Sequence, residues 1–209
     1  MKITPQAQAR LAHFAMLVLD VDGVLTQGEI FYTDSGTESK AFDVKDGLGL
    51  RVAVGAGLHL ALLTGRSSSV VQRRARDLRL PEVLQRVGDK GTALRELAEA
   101  KGLELRQVAY MGDDLNDLPA LRLAGLSIAP ADAVPDVLAE VGLITDAPGG
   151  RGAARQAVEL ILRAQDKWEA AVAQYLAEAA ERDQPRRPKG ENGPAAPAPT
   201  QAAPPDLRP

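Results

Sequence analysis

Asp20-Val21-Asp22-Gly23-Val24-Leu25-Thr26 follows directly on Met16-Leu17-Val18-Leu19, four apolar residues without a break. Such a run reads as a strand covered on both faces, because a half-exposed strand would alternate apolar with polar. Two carboxylates then leave the strand end and meet a glycine. Burying like charges is costly unless a cation or a reaction uses them. A turn with solvated acids is the other reading of the same residues. What stands at the ends of the other strands decides between them.

Outward from Asp20 the chain alternates between two patterns. β-rich runs at 16–21, 58–64, 83–87, 107–111, 126–129 and 142–145 are separated by helical stretches over about 47–56, 67–78, 90–101, 117–124 and 152–175. This predicts an α/β fold, a parallel sheet with helices on both faces. Residues 29–44 depart from the pattern and read as a β-hairpin around Asp34-Ser35-Gly36, inserted after the first strand.

In open parallel sheets, ligands bind at the carboxyl ends of the strands. After the second run comes Thr64-Gly65-Arg66-Ser67. A hydroxyl, a glycine and backbone amides at a helix start suit phosphate; a plain helix cap by Thr64 or Ser67 is the alternative. After the third comes Gly88-Asp89-Lys90-Gly91. A lysine opening a helix meets the positive end of its dipole, which an anionic ligand would relieve; a surface lysine is the other reading. After the fourth comes Gly112-Asp113-Asp114-Leu115-Asn116-Asp117. These oxygen donors suit a hard cation such as Mg²⁺. An acidic helix start accounts for Asp114 and Asp117, but less well for Asp113. Each stretch alone is ambiguous. Together they place complementary chemistry at four successive strand ends.

The chain has 209 residues, 45% of them apolar, with 25 Lys+Arg against 28 Asp+Glu and a net charge of −3. That balance gives no reason to expect nucleic-acid binding. No cysteine is present, which excludes a disulfide scaffold, an iron–sulfur centre and a thiol nucleophile. The apolar runs are too short to span a membrane, and the first residues lack the apolar core of a signal peptide, so a cytoplasmic protein is expected. Residues 183–209 hold eight of the fourteen prolines and almost nothing large and apolar. The expected organisation is one domain over 1–182 and a disordered tail over 183–209.

The ordered set of strand-end residues resembles the haloacid dehalogenase (HAD) superfamily of phosphohydrolases. Asp20-Val21-Asp22-Gly23-Val24 looks like its first motif, Thr64 its second, Lys90 its third and the 112–117 stretch its fourth. Four further segments are similar to the 3-deoxy-D-manno-octulosonate 8-phosphate (KDO 8-phosphate) phosphatase family. They are Asp20 through Thr26, Ala41-Phe42-Asp43-Val44-Lys45-Asp46-Gly47, Thr64-Gly65-Arg66 and Gly149-Gly150-Arg151-Gly152-Ala153-Ala154-Arg155. The likeness spans about residues 14–175. It implies a Rossmann-like HAD fold and a Mg²⁺-dependent phosphatase of a small phosphorylated sugar acid, in lipopolysaccharide precursor synthesis. Asp20 would be the nucleophile and Asp22 the acid/base. Lys90 and Thr64 would hold phosphoryl oxygens. Mg²⁺ would sit on Asp20, Asp113 and the Asp22 carbonyl, with Asp114 and Asp117 orienting. The sugar acid would contact Asp22, Asp43, Val44, Lys45, Asp46, Gly47, Arg51, Arg66, Arg74 and Lys90. Two positions depart from the family's habit, Gln27 for Asp and Asp43 for Asn.

Spacing adds one expectation. Neither the stretch from Asp22 to Thr64 nor that from Thr64 to Lys90 can hold a cap domain. An open site needs another lid to exclude water, and the family's answer is a homotetramer in which the hairpin helps neighbours close the site. Ile30, Phe31 and Tyr32 put apolar groups on both hairpin faces, which fits a partner or the hairpin's own domain. Arginine suits a substrate carboxylate, and Arg66 and Arg74, eight apart, share a helix face. Arg151 and Arg155 follow a Gly-Gly turn and are a further candidate cover. Three other functions remain open: a phosphatase of a nine-carbon sialic-type acid phosphate, a receiver-type phospho-acceptor domain, and a non-catalytic interaction subunit.

Overall fold

The computed structural model describes residues 1–183. All but the first residue of the expected 183–209 tail lie outside the described residues.

The strand over Met16–Leu19 (β2) is buried at every residue. Leu17 and Leu19 face one apolar layer, Met16 and Val18 the other. Burial of each such side chain contributes about 1.5–3 kcal/mol, which accounts for the missing polar alternation. Its parallel neighbours are His59–Leu63 (β5) and Val108–Met111 (β7). Beyond them lie Glu82–Leu84 (β6) on one side, and Leu126–Ala129 (β8) and Leu143–Ile144 (β9) on the other. The chain runs outward from β2 to β6, then returns to start again at β7. That reversal leaves a crevice at the carboxyl ends of β2 and its neighbours, the place where such sheets bind ligands. One layer is covered by helices Val44–Gly55 (α2), Ser69–Leu78 (α3), Ala153–Ala164 (α7) and Trp168–Asp183 (α8). The other is covered by Lys90–Ala100 (α4), Leu118–Leu123 (α5) and Pro135–Glu140 (α6). Among the described residues no helix is long and apolar enough to cross a membrane.

All six expected strands are present. Five differences stand out. A seventh strand, Lys2–Ile3 (β1), pairs antiparallel with β9, so the sheet is mixed at one edge; two residues carry no periodicity to read. Helices Pro5–Arg10 (α1) and α6 are only six residues long, and each opens on a proline. The hairpin is smaller than expected, with strands Phe31–Tyr32 (β3) and Glu38–Ser39 (β4) around a turn at Gly36. Helix α2 starts three residues earlier than the expected 47, because Asp43 Oδ1 accepts from the Lys45 and Asp46 amides and caps it. The expected helix over 152–175 is two helices. Asp166, at φ 53°, turns the chain into the left-handed region between α7 and α8. Trp168 is the packing residue expected, and the Arg155 and Arg163 guanidiniums lie 4.8 and 5.4 Å from its ring centre.

Candidate functional site

Asp20 is the first residue beyond β2, held to the sheet by its amide, which donates to Met111 O at 2.9 Å. The chain then turns tightly, with the Leu25 and Thr26 amides both reaching Val21 O. Gly23 takes φ +91° there, and a Cβ at Gly23 would fall on the Asp113 carboxylate. The two acidic loops are therefore packed against each other at a position only glycine fits.

Lys90, buried at 2% exposure, crosses beneath them. Its Nζ lies 3.0 Å from Asp20 Oδ1 and donates to Asp117 Oδ1 at 2.7 Å. The unfavourable lysine at a helix start is thus answered by carboxylates of the chain itself, while Asp89 supplies the α4 cap through the Gly91 and Thr92 amides. Burial works against the ammonium, but Asp20 and Asp117 outweigh it and raise its pKa.

Asp117 is fully engaged. Its Oδ1 also accepts from the Tyr110 hydroxyl at 2.5 Å, and its Oδ2 accepts from the Asp113 and Asp114 amides at 3.0 and 3.3 Å. Asp20, Asp113 and Asp117 present carboxylate oxygens within 4.8 Å of one another. With its lone pairs taken, Asp117 is a strut rather than a cation ligand. Asp113 is the opposite case: its Oδ1 is buried with no hydrogen-bond partner among the described residues. Burial first, then repulsion by Asp20 and Asp117, pushes its pKa to about 8. Burial and Asp117 push Asp20 to about 7, against the pull of Lys90. Three carboxylates facing one ammonium leave two negative charges, which a divalent cation at Asp20 and Asp113 would neutralise.

The remaining expected residues divide. Thr64 follows β5, is buried, and accepts the Arg66 amide on its Oγ1 at 3.3 Å. The α3 cap is Ser68, not Thr64 or Ser67. Asp22 stands at the rim, paired with Lys40, with Arg66 Nε 4.0 Å away. Among the described residues Arg66 has no acid closer than that; it donates to the Tyr32 hydroxyl of the hairpin at 2.6 Å. Val44 and Lys45 are exposed at the start of α2, and Asp114 caps Leu115 at the surface.

Three residues expected on the substrate, Asp46, Gly47 and Arg74, also have packing roles in the fold, and a fourth, Arg51, lies on a separate groove. Asp46 is buried at 2% exposure, and its two oxygens accept the Gly152 and Arg155 amides at 3.0 and 2.8 Å, tying α2 to α7. Gly47 makes room for the Arg74 guanidinium, which donates to Asp43 O at 3.2 Å and stacks 5.5 Å from the Phe42 ring. Arg51 lines a groove of about 110 Å³ with Tyr175 and Glu178 of α8, away from the acid cluster. The Gly149-Gly150 turn presses on the backbone of Gly23 and Thr26, and Arg151 donates twice to Gln27 Oε1, at 3.0 and 2.9 Å. It buttresses the loop carrying Asp20.

Lys40, Glu38 and Tyr110 were not singled out in the sequence. Tyr110 had a signal, a polar group one residue before the end of a buried strand. Lys40 had none, since its partners are set by how the hairpin folds back.

A doubly wound sheet with this acid-and-lysine cluster at its switch point is the architecture of a phosphoryl-transfer hydrolase, and residues 80–155 match a family model described as haloacid dehalogenase-like hydrolase. The chain is 42% identical over 162 residues to the 3-deoxy-D-manno-octulosonate 8-phosphate phosphatase KdsC of Yersinia pestis, covering 78% of this chain and 87% of that one. It is 38% identical over 174 residues to the enzyme of the same name from Salmonella typhimurium, covering 83% and 93%. The crystal structure of the Moraxella catarrhalis phosphatase in complex with magnesium ion, phosphate ion and KDO superposes with a TM-score of 0.78 at 43% identity, covering 81% and 97%. The chain belongs to the 3-deoxy-D-manno-octulosonate 8-phosphate phosphatase family of haloacid dehalogenase-like hydrolases.

Proposed function

We propose that this chain is a Mg²⁺-dependent phosphatase that hydrolyses KDO 8-phosphate to KDO and phosphate. The observation that carries this is the pairing of Asp20 with a buried, unpartnered Asp113 oxygen beside Lys90, in a chain 43% identical to a relative solved with magnesium, phosphate and KDO.

The residues fit a divalent cation: Asp20 and Asp113 would hold it, with the Asp22 carbonyl. Bound there, Mg²⁺ supplies positive charge that lets an anionic nucleophile approach an anionic phosphate. Asp20 attacks phosphorus, forming a bond from its carboxylate oxygen as the bond to the sugar oxygen breaks. Asp22 gives its proton to that leaving oxygen. Water then attacks the aspartyl-phosphate, losing a proton to Asp22, and the Asp20–phosphorus bond breaks to release phosphate. Lys90 and Thr64 meet charge on the phosphoryl oxygens from fixed positions. Arg66, exposed and bonded to the Tyr32 hydroxyl, takes the substrate carboxylate in exchange for it.

The rest of the reading comes with the family. The enzyme acts in lipopolysaccharide precursor synthesis in the cytoplasm, as a homotetramer. The hairpin supports the last point, since Phe31 and Tyr32 are 56% and 61% exposed. Light scattering that found single chains would contradict it. Asp43 caps α2, a role that Asn would fill as well.

The test is phosphate release with Mg²⁺ from KDO 8-phosphate, a nine-carbon sugar-acid 9-phosphate and a neutral sugar phosphate. Preference for the first is expected. Preference for the second would move the substrate to the sialic type. Release from none would remove the phosphatase reading.

Metal binding should also depend on pH in a set direction. Asp20 and Asp113 titrate near 7 and 8 in the metal-free fold, against 3.8 unfolded. The native state then binds more protons than the unfolded one, so metal-free stability falls as pH rises between about 4 and 8. Mg²⁺ must displace those protons. Its stabilising shift of the melting temperature is expected to be larger at pH 8 than at pH 6; equal shifts would count against Asp20 and Asp113 as its ligands.

A further inference from the structure

The Lys40 side chain is wholly buried, yet it comes from the loop that leads from the hairpin into α2. Burying an ammonium is unfavourable unless carboxylates meet it. Two do. Nζ donates to Asp22 Oδ1, and Glu38 Oε1 lies 3.2 Å away, outside hydrogen-bonding alignment. The Ser68 hydroxyl, on the α3 cap just past Thr64-Gly65-Arg66, lies beside Glu38 and, with Lys40, holds its carboxyl below the usual range. A line of contacts therefore runs from the loop after β2, through the hairpin, to the loop after β5. None of its inner members touches the Asp20–Asp113–Lys90 cluster.

We infer that Lys40 is a positioning residue for Asp22, fixing one carboxylate oxygen so that the other faces the substrate's leaving oxygen, and so making the proton transfer depend on the seated hairpin. The geometry is specific. Oδ1 is held by Lys40, while Oδ2 is the oxygen on the side of Arg66, at the mouth. A free Asp22 side chain would sample other rotamers, and small misplacement of a proton donor costs turnover rather than binding. The hairpin also meets Arg66 through the Tyr32 hydroxyl, a contact given up when the substrate carboxylate takes Arg66, so the Lys40 pair is what keeps the hairpin seated at Asp22.

This inference rests on the phosphatase reading above, and the test separates the two. KDO 8-phosphate has an alkoxide leaving group that needs a proton. p-Nitrophenyl phosphate leaves as a stable phenolate that does not. Both need Asp22 later, to activate water. Lys40→Met should lower kcat on KDO 8-phosphate by about 10- to 100-fold with KM little changed. With p-nitrophenyl phosphate it should release a burst of p-nitrophenol stoichiometric with enzyme, followed by slow turnover. Because Lys40 acts through Asp22, Lys40→Met added to Asp22→Asn should do no further harm. Lys40→Gln, which keeps a buried donor, serves the same measurements should the methionine variant fail to fold.

Unchanged turnover of KDO 8-phosphate would overturn the inference. So would an equal loss on both esters without a burst, or losses that add in the double variant. A wild-type protein inactive on both esters would instead sink the phosphatase reading, and this inference with it.

Discussion

Asp20→Asn should abolish phosphate release, by about 10⁴-fold or more, because no other group can take the nucleophile's place. The substitution keeps the shape and the Val21 loop, so binding of substrate should survive. It should also leave the metal-free protein no less stable at pH 8. Asp20 is buried beside Asp117 and Asp113, and its pKa is raised to about 7, so its charge opposes folding above that pH. A neutral amide removes that opposition. Loss of activity with a melting temperature kept or raised, measured without metal at pH 8, is the expected pair of results. Loss of both would mean that Asp20 is chiefly a partner for Lys90.

Lys90→Met is expected to act on stability and rate together. Among the described residues Lys90 is the one cation paired with Asp20 and Asp117. Its removal leaves buried acids uncompensated, and breaking a buried pair from one side typically costs about 3–5 kcal/mol. Denaturant unfolding without metal should show that loss at pH 8. The loss should shrink at pH 6, where Asp20 and Asp113 take up protons. Mg²⁺ should restore part of it by supplying positive charge to the same acids. Turnover should still fall by about 10²–10³-fold in saturating Mg²⁺, since a preorganised donor to the phosphoryl group is gone. Wild-type turnover in that condition would make Lys90 purely structural.

The strand ends were legible because an unbroken apolar run admits one reading, and residues just past it are placed by the sheet. Asp20, Thr64, Lys90 and Asp113 all sit where that rule puts them. Asp117 illustrates what the rule leaves out. Spacing offers an oxygen donor and the resemblance an orienting group, but its partners, the Tyr110 hydroxyl and two backbone amides from its own loop, come only from the fold. Asp46 is the same lesson at longer range. Its partners are amides more than a hundred residues away, and only the packing of α7 on α2 brings them in. Arg74 and Gly47 likewise form a pair that helix spacing within either segment could not show. Lys40 was invisible because a lysine reads as surface until a turn folds it inward. The break before Trp168 escaped notice because Asp166 has no glycine or proline to announce it.

The claim on which the rest depends is that Asp20 carries the phosphoryl group. It is tested by quenching the enzyme during turnover of KDO 8-phosphate with Mg²⁺, reducing the trapped acyl phosphate with borohydride, and sequencing the peptide over residues 16–26 by mass spectrometry. The account predicts conversion of Asp20 to homoserine, with Asp22 untouched and no conversion without substrate. Active enzyme whose Asp20 is unmodified, or conversion at another carboxylate, would contradict it.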